Sequence, residues 1–165
     1  MSGQLRPPRE KVSRKAITYW AVRAAAGWLV ALVVLLITVI AVPEHPGWLL
    51  WTMAAMIVVG GVHVAVMPRW RFHVHRWEVT ADAVYTQAGW FNIERRVAPV
   101  ARIQTVDSER GPLEQLFGLT KVTITTASAA GPLKIHGLDV ATAARLADQL
   151  TVSGTRDGRE PDDGT

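Results

Sequence analysis

Ala24-Ala25-Ala26-Gly27-Trp28-Leu29-Val30-Ala31-Leu32-Val33-Val34-Leu35-Leu36-Ile37-Thr38-Val39-Ile40-Ala41-Val42 runs for nineteen residues without a charge. Gly47 to Met67 follows with twenty-one more, in which His63 is the single ionisable side chain. A bilayer core of about 30 Å needs roughly 20 apolar residues of helix, so each block is long enough to cross it. Between them stands Pro43-Glu44-His45-Pro46, whose prolines break the helix and reverse the chain. A link this short makes the two helices antiparallel neighbours, and Pro68 is expected to close the second.

The flanks set the orientation. Arg6, Arg9, Lys11, Arg14, Lys15 and Arg23 precede the first span against one acid, Glu10, and Arg69, Arg71 and Arg76 follow the second. The connecting loop has neither Lys nor Arg. Positive charge stays on the cytoplasmic side, so both termini are expected there, in a multi-pass protein of the plasma membrane. Trp20 and Trp70 fall at the inner boundary and Trp48 and Trp51 at the outer one, the level amphipathic rings favour. Val39-Ile40-Ala41 meets the small-residue rule for signal cleavage, but the apolar run exceeds the 7–15 residues of a signal core. A buried pair in a soluble fold would keep a polar face, and neither block has one. Gly60-Gly61 would let the helices approach closely, and His63 suits a hydrogen bond across the hairpin.

Bulk composition hides this division. Hydrophobic residues make up 49% and charged residues 19%, because a membrane part and a soluble part are averaged. There is no cysteine, which excludes disulfides, thiolate metal sites and cysteine nucleophiles. Arginine outnumbers lysine 14 to 4, a bias that fits a GC-rich bacterial genome.

From Arg69 to Leu150 the pattern turns to short alternating runs. Residues 71–79 alternate without a breaker and read as a strand; Thr80-Ala81-Asp82 is a turn and Ala83 to Gln87 a second strand. Phe91, Ile93 and Val97 share one parity, opposite Asn92, Glu94 and Arg96. Val122-Thr123-Ile124-Thr125-Thr126 is a β-branched run, and Leu133-Lys134-Ile135 returns after the turn from Ala127 to Gly131. Ile103 and Val106 break strict alternation and call for a bulge. Pro112 to Gly118 reads as one helical turn stopped by glycine. Asp139 is a natural N-cap for a helix whose stripe is Ala143, Leu146, Ala147 and Leu150. Residues 151–165 carry almost nothing apolar and read as a disordered tail.

Arg102-Ile103-Gln104-Thr105-Val106, Leu113-Glu114-Gln115-Leu116-Phe117-Gly118-Leu119 and Val122-Thr123-Ile124-Thr125-Thr126, in this order and spacing, resemble the bacterial pleckstrin-homology (PH) family. The chain is most similar to its YdbS-like membrane proteins, in which a hydrophobic hairpin precedes the domain. Trp77-Glu78-Val79-Thr80, Gly89, Pro99 and the final helix fall in matching places over residues 15–150. The resemblance implies an α+β chain: a transmembrane hairpin, then a PH-like antiparallel split barrel with a C-terminal helix. The expected segments are 1–18, basic and cytoplasmic; 19–68, the hairpin; 69–150, the cytoplasmic PH-like domain; and 151–165, the tail.

No reaction chemistry is legible. Neither Gly-x-x-x-x-Gly-Lys nor Gly-x-Gly-x-x-Gly occurs. His73 and His75 would share a strand face but lack a third ligand, and Ser108, Asp107 and His136 form no recognisable triad. The sequence therefore leads to a non-enzymatic protein with no catalytic residue, metal or cofactor, presenting its domain to a protein partner or another copy. Anionic lipid headgroups are the alternative ligand, with Arg69, Arg71, Arg76, Arg95, Arg96 and Arg102 as candidate contacts; Arg110 could join such a patch. A subunit of an oligomeric transporter or complex is a third reading. Residues 69–150 hold ten basic and eight acidic residues, a net of +2, too little for a nucleic-acid partner.

Overall fold

The computed structural model describes residues 7–42, 46–128 and 131–157, with the side chains of 152–157 left aside. Pro43-Glu44-His45 of the connecting loop and 158–165 of the expected tail lie outside the described residues.

Two helices, α1 (Lys15–Ala41) and α2 (Trp48–Val74), form the hairpin. Each has 27 residues, about 40 Å of helix against a hydrocarbon core of about 30 Å. The surplus falls at the open end of the hairpin, since the apolar blocks reach the connecting loop. Both helices therefore project about two turns beyond the bilayer as a stalk. Within the spans, polar groups find local partners: Thr38 Oγ1 donates to the Val34 carbonyl and Thr52 Oγ1 to that of Trp48. The Trp28 indole N–H donates to His63 Nδ1 across the hairpin at 3.1 Å, as the sequence suggested. Gly60 admits the Trp28 ring, since a Cβ there would lie 2.9 Å from it; Gly61 meets nothing.

Pro68 does not close α2, and the expected strand over 71–79 is helical to Val74. Only β2 (Arg76–Val79) is extended. A proline forfeits its own N–H bond, but the residues after it still bond back, the last being His75 N–H to the Arg71 carbonyl at 2.9 Å. The continuation buries Phe72 with Val12, Ala16, Tyr19, Trp20 and Leu119 in a core between stalk and sheet. Trp20 is consequently 3% exposed and not a lipid-facing anchor, whereas Trp70 at 54%, Trp48 at 62% and Trp51 at 79% are open.

Among the described residues the domain has seven strands in two antiparallel sheets. β1 (Glu10–Lys11), β2, β3 (Ala83–Gly89) and β4 (Ile93–Pro99) are in order in one, and β5 (Ile103–Glu109), β6 (Leu119–Thr126) and β7 (Leu133–Asp139) in the other. The α+β reading holds, with one addition. β1 lies in front of the hairpin, so the basic N-terminal segment completes the sheet by pairing Glu10 with Trp77. The irregularity read from Ile103 and Val106 is a register shift between Ile103 and Thr105. The short helix α3 (Pro112–Leu116) ends at Gly118, whose φ of +63° suits glycine.

The barrel core gathers the inward parity of both sheets: Val84, Ala98, Val122, Ile124, Leu133 and Ile135. Helix α4 (Val140–Asp157) covers it with Ala143, Leu146 and Leu150. Asp139 caps α4, accepting from the Thr142 N–H at 2.9 Å and its hydroxyl at 2.8 Å, and the first bond holds its carboxyl below the usual range. The helix outlasts Leu150, so residues 151–157 of the expected disordered tail are helical.

Candidate functional site

The two sheets part on the side of the stalk, leaving a cleft of about 460 Å³. β7 supplies one wall. Its parity buries Leu133 and Ile135 and turns Lys134 and His136 into the opening. β3 and β4 supply the other with Thr86, Gly89, Glu94 and Arg96, and Trp90 stands at the rim. The floor is the end of the stalk, Arg71 and His75.

The two arginines are held in place. The Arg71 guanidinium lies 4.7 Å over the Trp20 ring, a face that attracts a cation. Arg96 donates to the carbonyls of Pro132 at 2.8 Å and Gly131 at 3.3 Å and pairs with Glu94 at 3.4 Å. Lys134 is exposed at the mouth. His75 stays neutral: burial, with Arg71 beside it, pushes it down to about 4. Burial also lowers His136, with Arg71 the next cause. Three cations thus face one carboxylate, a net of +2 that the two histidines do not alter at neutral pH.

A second cavity of about 530 Å³ lies behind, between the stalk and α3, lined by Tyr19, Trp20, Arg23, Leu113 and Lys121. Arg71 and His136 form the partition, since both line both spaces. Lys121 there is paired with Glu109.

Of the six arginines singled out in the sequence, Arg71 and Arg96 meet in the cleft. Arg69, exposed, bonds back to the Ala65 carbonyl, and Arg76, half-buried, to that of His73. Arg95 bonds to Gln87 Oε1 at 3.0 Å on the outer face of β4, and Arg102 lines neither cavity. Proximity in sequence misled because residues two apart on a helix point about 200° apart, which separates Arg69 from Arg71. His73 and His75 are divided likewise, each bonding the carbonyl four residues back. Lys134 and His136 are not among the candidate contacts read from the sequence, although their alternation with Leu133 and Ile135 is the available signal.

The comparisons with known proteins agree with this architecture. Over 147 residues the chain is 29% identical to the UPF0699 transmembrane protein YdbS of Bacillus subtilis (strain 168), covering 87% of this chain and 91% of that protein. No solved structure matches. The family model described as "Bacterial PH domain" matches residues 24–152, hairpin and domain together. Two spanning helices joined to a two-sheet domain closed by a C-terminal helix, and a family match over most of the chain, place this transmembrane protein in the bacterial PH domain family.

Proposed function

We propose that this protein is a non-enzymatic, membrane-tethered recognition module. Its PH-like domain sits under the cytoplasmic leaflet of the plasma membrane, and its cleft takes the anionic headgroup of a lipid. One observation carries the reading. The cationic cleft opens at the stalk, with Trp90 on its rim and Arg71 on its floor, where the helices leave the bilayer. A phosphate there would meet Arg71, Arg96 and Lys134, and charge-assisted bonds are about twice as strong as neutral ones. The orientation follows from the arginines and lysines that flank both spans on the domain side.

Native mass spectrometry of the full-length protein, with phosphatidylglycerol and phosphatidylcholine in competition, tests this. Phosphatidylglycerol should be retained preferentially. Lys134→Gln, at an exposed position, should weaken that retention about tenfold, the value of one charge-assisted bond. Equal retention of both lipids, or indifference to Lys134→Gln and Arg96→Gln, would refute the reading.

The outer edge of β4 supports a second ligand class. Among the described residues β4 pairs with β3 alone, and it exposes Ile93 and Val97, so a strand of a protein partner or a second copy could add there. Cross-linking in membranes that yields only monomers, with no second protein attached, would remove it.

A further inference from the structure

The tip between β3 and β4 has the wrong chemistry for a hairpin turn in water. Gly89-Trp90-Phe91-Asn92 places two aromatic rings where small polar residues are the rule. Phe91 is 94% exposed and Trp90 49%. They are not scattered surface hydrophobics, because the tip is fastened to the membrane helix. The Trp70 indole N–H donates to the Trp90 carbonyl at 3.0 Å, and the Trp90 ring meets that of His63 edge-on at 5.9 Å. Phe91 continues outward from Trp90, ring centroids 6.0 Å apart.

The depth follows from two independent rises. Gln87 Nε2 donates to the Val74 carbonyl at 3.0 Å, which sets that point of β3 level with the end of α2. Three strand residues from Gln87 to Trp90 climb about 10 Å. Seven helical residues from Val74 to Met67 cover about the same distance, so the backbone of Trp90 stands at the end of the apolar block. His63 lies another turn inside that block, and the Trp90 ring reaches it. Water at this level would surround the lipid-facing wall of the helix itself.

We propose that the Trp90–Phe91 tip inserts into the domain-side leaflet beside α2, a third attachment that holds the domain against the bilayer. The occupant of this patch is lipid, because the patch is continuous with the lipid-exposed surface of the span around Val66. The inference stands apart from any ligand in the cleft.

The absence of cysteine makes the test direct. The full-length protein with Phe91→Cys carries one nitroxide and is reconstituted into phosphatidylglycerol–phosphatidylcholine vesicles. Collisions with oxygen, which concentrates in lipid, are compared with those of a water-soluble nickel chelate. Val66→Cys gives the lipid reference and Gln104→Cys the aqueous one, and Asn92→Cys repeats the reading should Phe91→Cys not fold. The oxygen-to-nickel ratio at the tip should shift from the Gln104 value to that of Val66. A ratio matching Gln104 would overturn the proposal, and so would a label shielded from both reagents, which would signify a protein contact.

Discussion

Gly137→Ala lowers the stability of the full-length protein in detergent by about 3 kcal/mol or more, whereas Gly131→Ala costs about 1–2 kcal/mol. Both glycines have left-handed backbones, with φ of +79° and +76°, so both substitutions meet the same conformational penalty. They differ in what a Cβ would touch. At Gly131 it meets nothing within 4 Å among the described residues; at Gly137 it falls 2.9 Å from the Cβ of Ala16 and 3.6 Å from the Trp20 ring. Ala16 is fully buried on α1, and its Cβ is rooted in helix backbone that moves only if the stalk moves. The Ser13 N–H donates to the Gly137 carbonyl at 2.8 Å on the same seam. Glycine is therefore the device by which β7 and α1 come into contact, and the difference between the variants measures that contact. Thermal unfolding checks it; equal losses would mean that β7 and α1 are not in close contact at Gly137.

Acid destabilises the protein through His75 on the order of 3 kcal/mol. Burial keeps this imidazole neutral in the fold, with a pKa depressed from 6.5 to about 4. Its Nδ1–H bonds to the Arg71 carbonyl at 2.9 Å, leaving Nε2 toward the Arg71 guanidinium at 3.5 Å. A second proton would face that cation, with Trp20 on the ring's flank at 5.2 Å. The unfolded chain has no such restraint and binds its proton near 6.5. Stability is thus complete above about 6.5, falls as the pH drops toward 4, and levels off below. Each tenfold change in a protonation equilibrium is worth about 1.4 kcal/mol, which gives the stated size. His136, lowered for the same primary reason, adds in the same direction. Unfolding curves between pH 7.5 and 5, where most carboxylates stay ionised, should slope for the native chain and less steeply for His75→Gln, which keeps the smaller share of His136. Native stability unchanged over that range would show that His75 takes up its proton as readily in the fold as in the unfolded chain.

What could be read from the sequence depended on how local the determining physics is. Crossing a bilayer is a sum over some twenty consecutive side chains, so Ala24–Val42 and Gly47–Met67 declare themselves. The Asp139 cap acts over three residues and the bulge beside Ile103 over two, and both were legible. The end of α2 was not. Arg71-Phe72-His73-Val74-His75 alternates as a strand should, and what keeps it helical is the burial of Phe72 against Val12, Ala16 and Leu119 from remote parts of the chain. The cleft failed for the same reason. Its floor lies on the stalk and its walls on β3, β4 and β7, so Lys134 and Arg96 converge through topology, whereas Arg69, Arg71 and Arg76 are neighbours in sequence alone.

The hairpin is the claim beneath all the others, and a cysteine-free chain lets it be tested residue by residue in living cells. Gly47, exposed at the loop end of α2, and Ser108, exposed on β5, are each replaced with cysteine and offered a membrane-impermeant maleimide. Gly47→Cys should react in intact cells, and Ser108→Cys only after the plasma membrane is broken. Labelling of Ser108→Cys in intact cells, or of Gly47→Cys only after lysis, would contradict a bilayer-crossing hairpin with its domain inside.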